Sequence, residues 1–117
     1  MSVERSQSDD LRIFQKDNMK LSIIIPCFNE EENIEAVHRE VVDACEANGY
    51  EYEIIIIDDG SSDRTGKIAE GLSPVKLVRF TKNYGQTSAI DAGIKLAKND
   101  YIITMDGDRQ NDPNDIP

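Results

Sequence analysis

Glu53-Ile54-Ile55-Ile56-Ile57-Asp58-Asp59-Gly60-Ser61-Ser62-Asp63 is the stretch that decides the fold. Its run of isoleucines leaves no polar position in alternation. The segment Glu53 to Ile57 therefore reads as a strand buried on both faces, which is the habit of a parallel sheet covered by helices on either side. The run then stops at two aspartates, a glycine and two serines, residue types that favour turns and helix starts. Such a strand puts its charge at one edge of the sheet.

Working outward, Lys20 to Pro26 is a run of the same kind, with Leu21, Ile23, Ile24 and Ile25, and Pro26 is expected to end it. Asn29 with Glu32 three residues later has the form of a capping box. Ile34, Val37, Val41 and Ala44/Cys45 follow at helical spacing until Asn48-Gly49. His38 lies beside that stripe and is read as a surface residue. A short helix is expected from Asp63 to Gly71, a strand from Val75 to Phe80, a helix from Gly85 to Ala97 and a fourth strand from Tyr101 to Met105. The helix at Gly85 to Ala97 carries Ala89/Ile90, Gly93/Ile94 and Ala97 as a face for close packing. Residues 1–19 are read as a flexible leader.

Strands alternating with helices predict an α/β domain over residues 20–117, with a mostly parallel sheet in strand order 3-2-1-4 and helices on both faces. Ligands in such sheets bind at the carboxyl ends of the strands, beside the switch point, here between the first and fourth strands. Three of the four strands carry polar residues at that edge: Asn29-Glu30, Asp58-Asp59 and Asp106/Asp108. Acidic turns scattered at random would fall equally at the amino edge.

Tyr101-Ile102-Ile103-Thr104-Met105-Asp106-Gly107-Asp108-Arg109-Gln110 carries the chemistry. If Asp106 opens a loop, both aspartates and Gln110 turn towards one point, and hard oxygen ligands suit Mg²⁺ or Mn²⁺. Gly107 leaves room for a diphosphate to approach the backbone. A surface turn is the alternative reading of the same tripeptide. The formal charge of −10 and pI near 4.4 argue against a nucleic-acid or anionic-membrane surface. An acidic protein that handles a phosphorylated ligand needs a cation to screen the charges. Cys27 and Cys45 lack the spacing of a zinc site and read as reduced, structural thiols. No apolar run approaches the roughly 18 residues of a membrane span, so the chain is expected to be soluble and cytoplasmic.

Pro26-Cys27-Phe28-Asn29-Glu30, Asp58-Asp59-Gly60-Ser61-Ser62-Asp63-Arg64-Thr65, Asn83-Tyr84-Gly85-Gln86 and Asp106-Gly107-Asp108-Arg109-Gln110-Asn111-Asp112-Pro113 together carry a resemblance. In order and spacing they resemble family 2 glycosyltransferases, and within them the polyprenyl-phosphate sugar transferases. That branch holds dolichol-phosphate mannose synthases and bacterial undecaprenyl-phosphate glucosyl and formamido-arabinosyl transferases. The likeness runs from about Leu21 to Pro117. It implies a Rossmann-like GT-A fold that binds a nucleoside-diphosphate sugar and transfers the sugar, with inversion and divalent-metal assistance, to a polyprenyl phosphate. By the same resemblance Pro26, Phe28 and Glu30 border the nucleoside, with Glu30 on the ribose, while Ile57 and Asp59 hold the base. Asp106 and Gly107 lie along ribose and diphosphate. Asp108 and Gln110, with Asp106 beside them, ligate Mg²⁺ or Mn²⁺, and Asp108 is the residue expected to act in catalysis. Arg109 stands where many polyprenyl-phosphate enzymes have leucine, and Asp112 where they have proline; both departures bear on the acceptor more than on the donor.

Family members continue beyond the metal motif, so the chain is expected to be the donor-binding half of a longer enzyme that binds nucleotide weakly and does not transfer sugar by itself. The resemblance puts that longer protein at the cytoplasmic face of the inner membrane. Open sheet edges add homo-oligomerisation as an expectation. Two other readings use the same residues. One is an aspartate-dependent phosphohydrolase acting through Asp106-Gly107-Asp108, which would form a trappable acyl-phosphate. The other is a non-catalytic interaction module. A dinucleotide oxidoreductase is disfavoured because no G-x-G-x-x-G follows the first strand.

Overall fold

Period-two alternation inside the isoleucine runs sorts the core into two layers. In the computed structural model, which describes Ser2–Val3 and residues 19–106, five strands form one sheet: β1 (Ser2–Val3), β2 (Lys20–Cys27), β3 (Glu51–Asp58), β4 (Lys76–Arg79) and β5 (Tyr101–Thr104). Among the described residues three helices intervene: α1 (Ile34–Ala47), α2 (Thr65–Glu70) and α3 (Gln86–Leu96). Leu21, Ile23, Ile25, Ile54, Ile56 and Ile103 pack with Ile34, Val37, Val41 and Cys45 of α1 and Ala69 of α2. On the opposite face Ile24, Ile55 and Ile57 pack with Ala89 of α3. Helices therefore cover both faces, and each isoleucine run is buried whichever way its side chains point.

The strand order is β1-β5-β2-β3-β4. The four long-range strands pair in parallel, in the expected 3-2-1-4 arrangement, and β2 lies between β3 and β5. Ser2–Val3, in the stretch read as a leader, adds an antiparallel edge strand to β5; residues 4–18 lie outside the described part. Among the described residues no helix is long and apolar enough to cross a membrane.

Pro26 does not end its strand. β2 runs through it to Cys27, and backbone direction explains why. Ile24 O accepts from Met105 N at 2.9 Å, so the even-numbered peptide groups of β2 face β5. Cys27 O accepts from Asp59 N at 2.9 Å, so the odd-numbered groups face β3. The N–H that proline lacks would have continued the ladder towards β5, which has already ended at Thr104. Pairing with β3 is untouched, while β2 and β5 are free to part at the switch point.

Other expectations are corrected locally. The Asn29/Glu32 capping box does not form: Asn33 is the N-cap of α1 and makes no side-chain cap bond. His38 is buried, its Nε2 3.1 Å from Pro74 O, because α1 rests on the loop before β4. On α3, Ala89 and Gly93 face the sheet as expected, but Ile94 is exposed.

At the amino edge, Glu53 is 7% exposed and joins three segments. Ser22 Oγ donates to its Oε2 at 2.6 Å, Lys98 N donates to the same oxygen at 2.7 Å, and Lys76 Nζ lies 2.9 Å from Oε1. Burial pushes this carboxyl up, but the Lys76 ammonium, the Lys98 amide and the Ser22 hydroxyl outweigh it and hold Glu53 below its ordinary value. Because the folded-state value is depressed, the stabilisation is present above the ordinary value of 4.5 and is lost as pH falls through the folded value. Urea unfolding measured across that range should show the parent losing stability more steeply on acidification than Glu53→Gln. Parallel curves would contradict this role.

Candidate functional site

The carboxyl edge is built from three loops that hold one another. After β3, the buried Asp58 carboxylate accepts from Ser61 N at 3.0 Å and lies 3.6 Å from Arg79 Nε, which fixes the turn. Gly60 has φ +74°, and a Cβ there would lie 2.2 Å from the carbonyl carbon of Lys82. Only glycine lets this turn sit against the loop that follows β4. After β2, Asn29 adopts φ 53°, and its Oδ1 accepts from Ser62 N at 2.9 Å. The Asn29 amide donates to Ser61 Oγ at 2.9 Å, and the Glu30 amide to Thr65 Oγ1 at 2.8 Å.

Asp59 ties in the third loop. Its Oδ1 accepts from Tyr84 N at 2.7 Å; its Oδ2 accepts from Gly85 N at 2.9 Å and Asn83 Nδ2 at 3.0 Å. Backbone amides at a strand-to-helix joint such as 83–85 are able to face an anion. Two of them face this carboxylate, which is buried at 4% exposure and needs donors. An ionised carboxylate has about four acceptor positions, so one stays open beyond these three.

Between the loops lies an open cleft of about 320 Å³. Five residues expected from the sequence line it: Pro26, Phe28, Glu30, Asp59 and Asp106. Ile57 does not reach it, being wholly buried in the layer under α3, where its carbonyl accepts from the Cys27 thiol. Gly107, Asp108 and Gln110 lie outside the described residues. Four lining residues were not among the expected ligands: Cys27, Asn83, Gly85 and Gln86. Asn83-Tyr84-Gly85 marks a joint in the sequence, but nothing local reveals that β4 stops early enough to bring that joint back over β3.

The electrostatics of the two edges differ. Acidic residues do occur at the amino edge, contrary to the sequence expectation, but Glu51 and Glu53 are paired there with Lys20 and Lys76. At the cleft, Glu30, Asp59 and Asp106 make no ion pair with any described residue. The Cys27 thiol reports the result. Burial first, then the charges of Asp58, Glu30, Asp63 and Asp59, push it up to about 12, so it stays protonated. Such a cleft suits a ligand that arrives with a cation. Its side-chain donors are mostly oxygens, which fits a hard divalent ion. Among the described residues no group of three or more histidine, cysteine or acidic side chains is placed to hold one.

Residues 22–117 match the family model described as Glycosyl transferase family 2. The chain is 41% identical over 102 residues to the undecaprenyl-phosphate 4-deoxy-4-formamido-L-arabinose transferase of Edwardsiella ictaluri, covering 83% of this chain and 31% of that protein. It thus spans about a third of the length of the curated relatives it matches. Among solved structures it superposes on S. aureus TarS 1-349 in complex with UDP-GlcNAc with a TM-score of 0.63 and 26% identity, over 77% of this chain and 27% of that one. The mannosyltransferase PcManGT of Pyrobaculum calidifontis, solved with GDP-Man and Mn²⁺, shares the fold with a TM-score of 0.62 at 24% identity, over 75% of this chain and 27% of that one.

Removing the Asp59 carboxylate leaves the Tyr84 and Gly85 amides without their acceptor. Asp59→Ala should lower stability by about 1–3 kcal/mol in denaturant unfolding. It should also speed hydrogen exchange at those two amides while Ile55 and Ile56 keep their protection. Unchanged exchange at Tyr84 and Gly85 would contradict the clamp.

Proposed function

Because the chain belongs to glycosyl transferase family 2, we propose that it is the nucleotide-sugar-binding part of an enzyme that transfers a sugar to a polyprenyl phosphate. The observation that carries this reading is that Asp59 and Asp106, from strands separated by β2, line one cleft at the carboxyl edge with no cation paired to either among the described residues. The activity for which the undecaprenyl-phosphate relatives are named and the UDP-GlcNAc held by TarS support the acceptor and the donor class respectively.

In this reading Pro26 and Phe28 wall the nucleoside and Glu30 accepts from the ribose hydroxyls. The open acceptor position of Asp59 takes the imide N–H of the base, the one donor on that edge of a uracil-type ring. Ile57 supports the site from beneath rather than touching the base. Asp106 and Gly107 run along ribose and diphosphate. Asp108 and Gln110, with Asp106, would hold Mg²⁺ or Mn²⁺, and such an ion supplies charge stabilisation for the leaving diphosphate when bound.

The reaction is a displacement with inversion. An acceptor phosphate oxygen forms a bond to the anomeric carbon as the bond from that carbon to the diphosphate oxygen breaks, and the nucleoside diphosphate leaves. A phosphate monoester has a second pKa of about 6, so near neutral pH its oxygen is already largely ionised. The site then needs orientation and screening of charge more than a strong general base. A polyprenyl phosphate acceptor would place the whole protein at the cytoplasmic face of the inner membrane.

Isothermal titration of UDP- and GDP-sugars with Mn²⁺ tests the reading. The parent chain should bind one of them only with the metal, and Asp108→Ala should weaken that binding at least about tenfold, as loss of a metal ligand requires. Binding that ignores the metal, or none at all, would contradict it.

A further inference from the structure

We propose that Gln86 is a positioning residue for Asp106, held in place by Asp59; the proposal rests on the donor-site reading above. Gln86 opens α3, and its Nε2 donates to Asp106 Oδ1 at 3.4 Å. Both residues line the cleft. Asp106 follows the last ladder bond of β5, from Met105 N to Ile24 O, and Pro26 has no N–H with which to continue that ladder. The backbone at Asp106 is thus released from β2, and the Gln86 carboxamide is the one described partner that restrains its side chain.

The restraint is useful because Gln86 is itself anchored. Gly85, the preceding residue, donates its amide to Asp59 Oδ2, and Tyr84 donates to Oδ1. Tyr84 in turn packs edge-on against Phe80 with ring centroids 5.5 Å apart. A carboxylate on β3 therefore fixes the start of α3, and α3 reaches over β2 to fix a carboxylate after β5. With Oδ1 held by Gln86, Oδ2 is left for the cleft that Asp106 lines, and a group that faces a nucleotide and its cation gains from such a restraint. The link joins two acidic segments whose strands, β3 and β5, share no pairing.

The test uses the chain itself, with Gln86→Met, which keeps the length of the side chain and removes the donor. By ¹⁵N NMR, the Gln86 side-chain NH₂ pair, assigned by its absence in Gln86→Met, should move towards the positions of solvent-exposed glutamines in Asp106→Ala. It should move likewise in Asp59→Asn, which leaves the loop without one acceptor. With UDP and Mn²⁺ as probes, Gln86→Met should weaken binding about tenfold, the loss of one charge-assisted hydrogen bond, with no change in melting temperature. An NH₂ pair unmoved by Asp106→Ala, or parental UDP affinity in Gln86→Met, would overturn the proposal. A parent chain that takes up no UDP with Mn²⁺ would overturn the donor-site reading and the functional role of Gln86 with it. The NMR response would still report whether the hydrogen bond exists.

Discussion

A strand with isoleucine on both faces can offer polar groups to a ligand only at its ends, and this constraint governs the whole molecule. Ile23 to Ile25 and Ile54 to Ile57 are all 0–1% exposed, and helices close both sides of the sheet. Chemistry is thereby confined to two rims. At the amino rim the acidic groups are matched by lysines and serve to join segments. At the carboxyl rim they are matched mainly by backbone amides, which fix their positions without supplying a neutralising positive charge. A rigid site that retains net negative charge is built for a cation and what the cation brings.

Two absences of a single atom group shape the cleft. Gly60 lacks the Cβ that would collide with the backbone at Lys82, so the β3 turn and the 82–85 loop lie in contact. Pro26 lacks the N–H that would continue the ladder to β5, so the sheet parts at its switch point. Membership of glycosyl transferase family 2 agrees with both: a nucleotide needs an opening between strands and a rigid floor.

Much of this was legible in the sequence. The isoleucine runs and the 3.6-residue stripe from Ile34 to Cys45 gave strand type, helix position and sheet order, because burial on both faces leaves few other solutions. Glu30, Asp59 and Asp106 could be placed on one rim because the carboxyl ends of parallel strands share it, and the family resemblance added Pro26 and Phe28. The rest depended on tertiary contacts. His38 reads as a surface residue until the loop before β4 covers it. The resemblance makes Ile57 a ligand contact, whereas its side chain packs under α3 with Ala89. The 83–85 joint shows its glycine in the sequence, but not that Asp59 takes the amides of Tyr84 and Gly85. Each of these is decided by a partner more than 20 residues away, which local pattern does not encode.

The central claim is that the carboxyl-edge cleft, and no other surface, receives a nucleotide. Titrating UDP with Mg²⁺ into the ¹⁵N-labelled chain and mapping the shifted amides tests it most directly. The account predicts changes gathered at residues 27–30, 59–61, 84–86 and 105–110, with the amino rim around Glu53 silent. Changes centred instead on the groove between α1 and the loop at Gly71 to Ser73, or spread evenly over the surface, would contradict it.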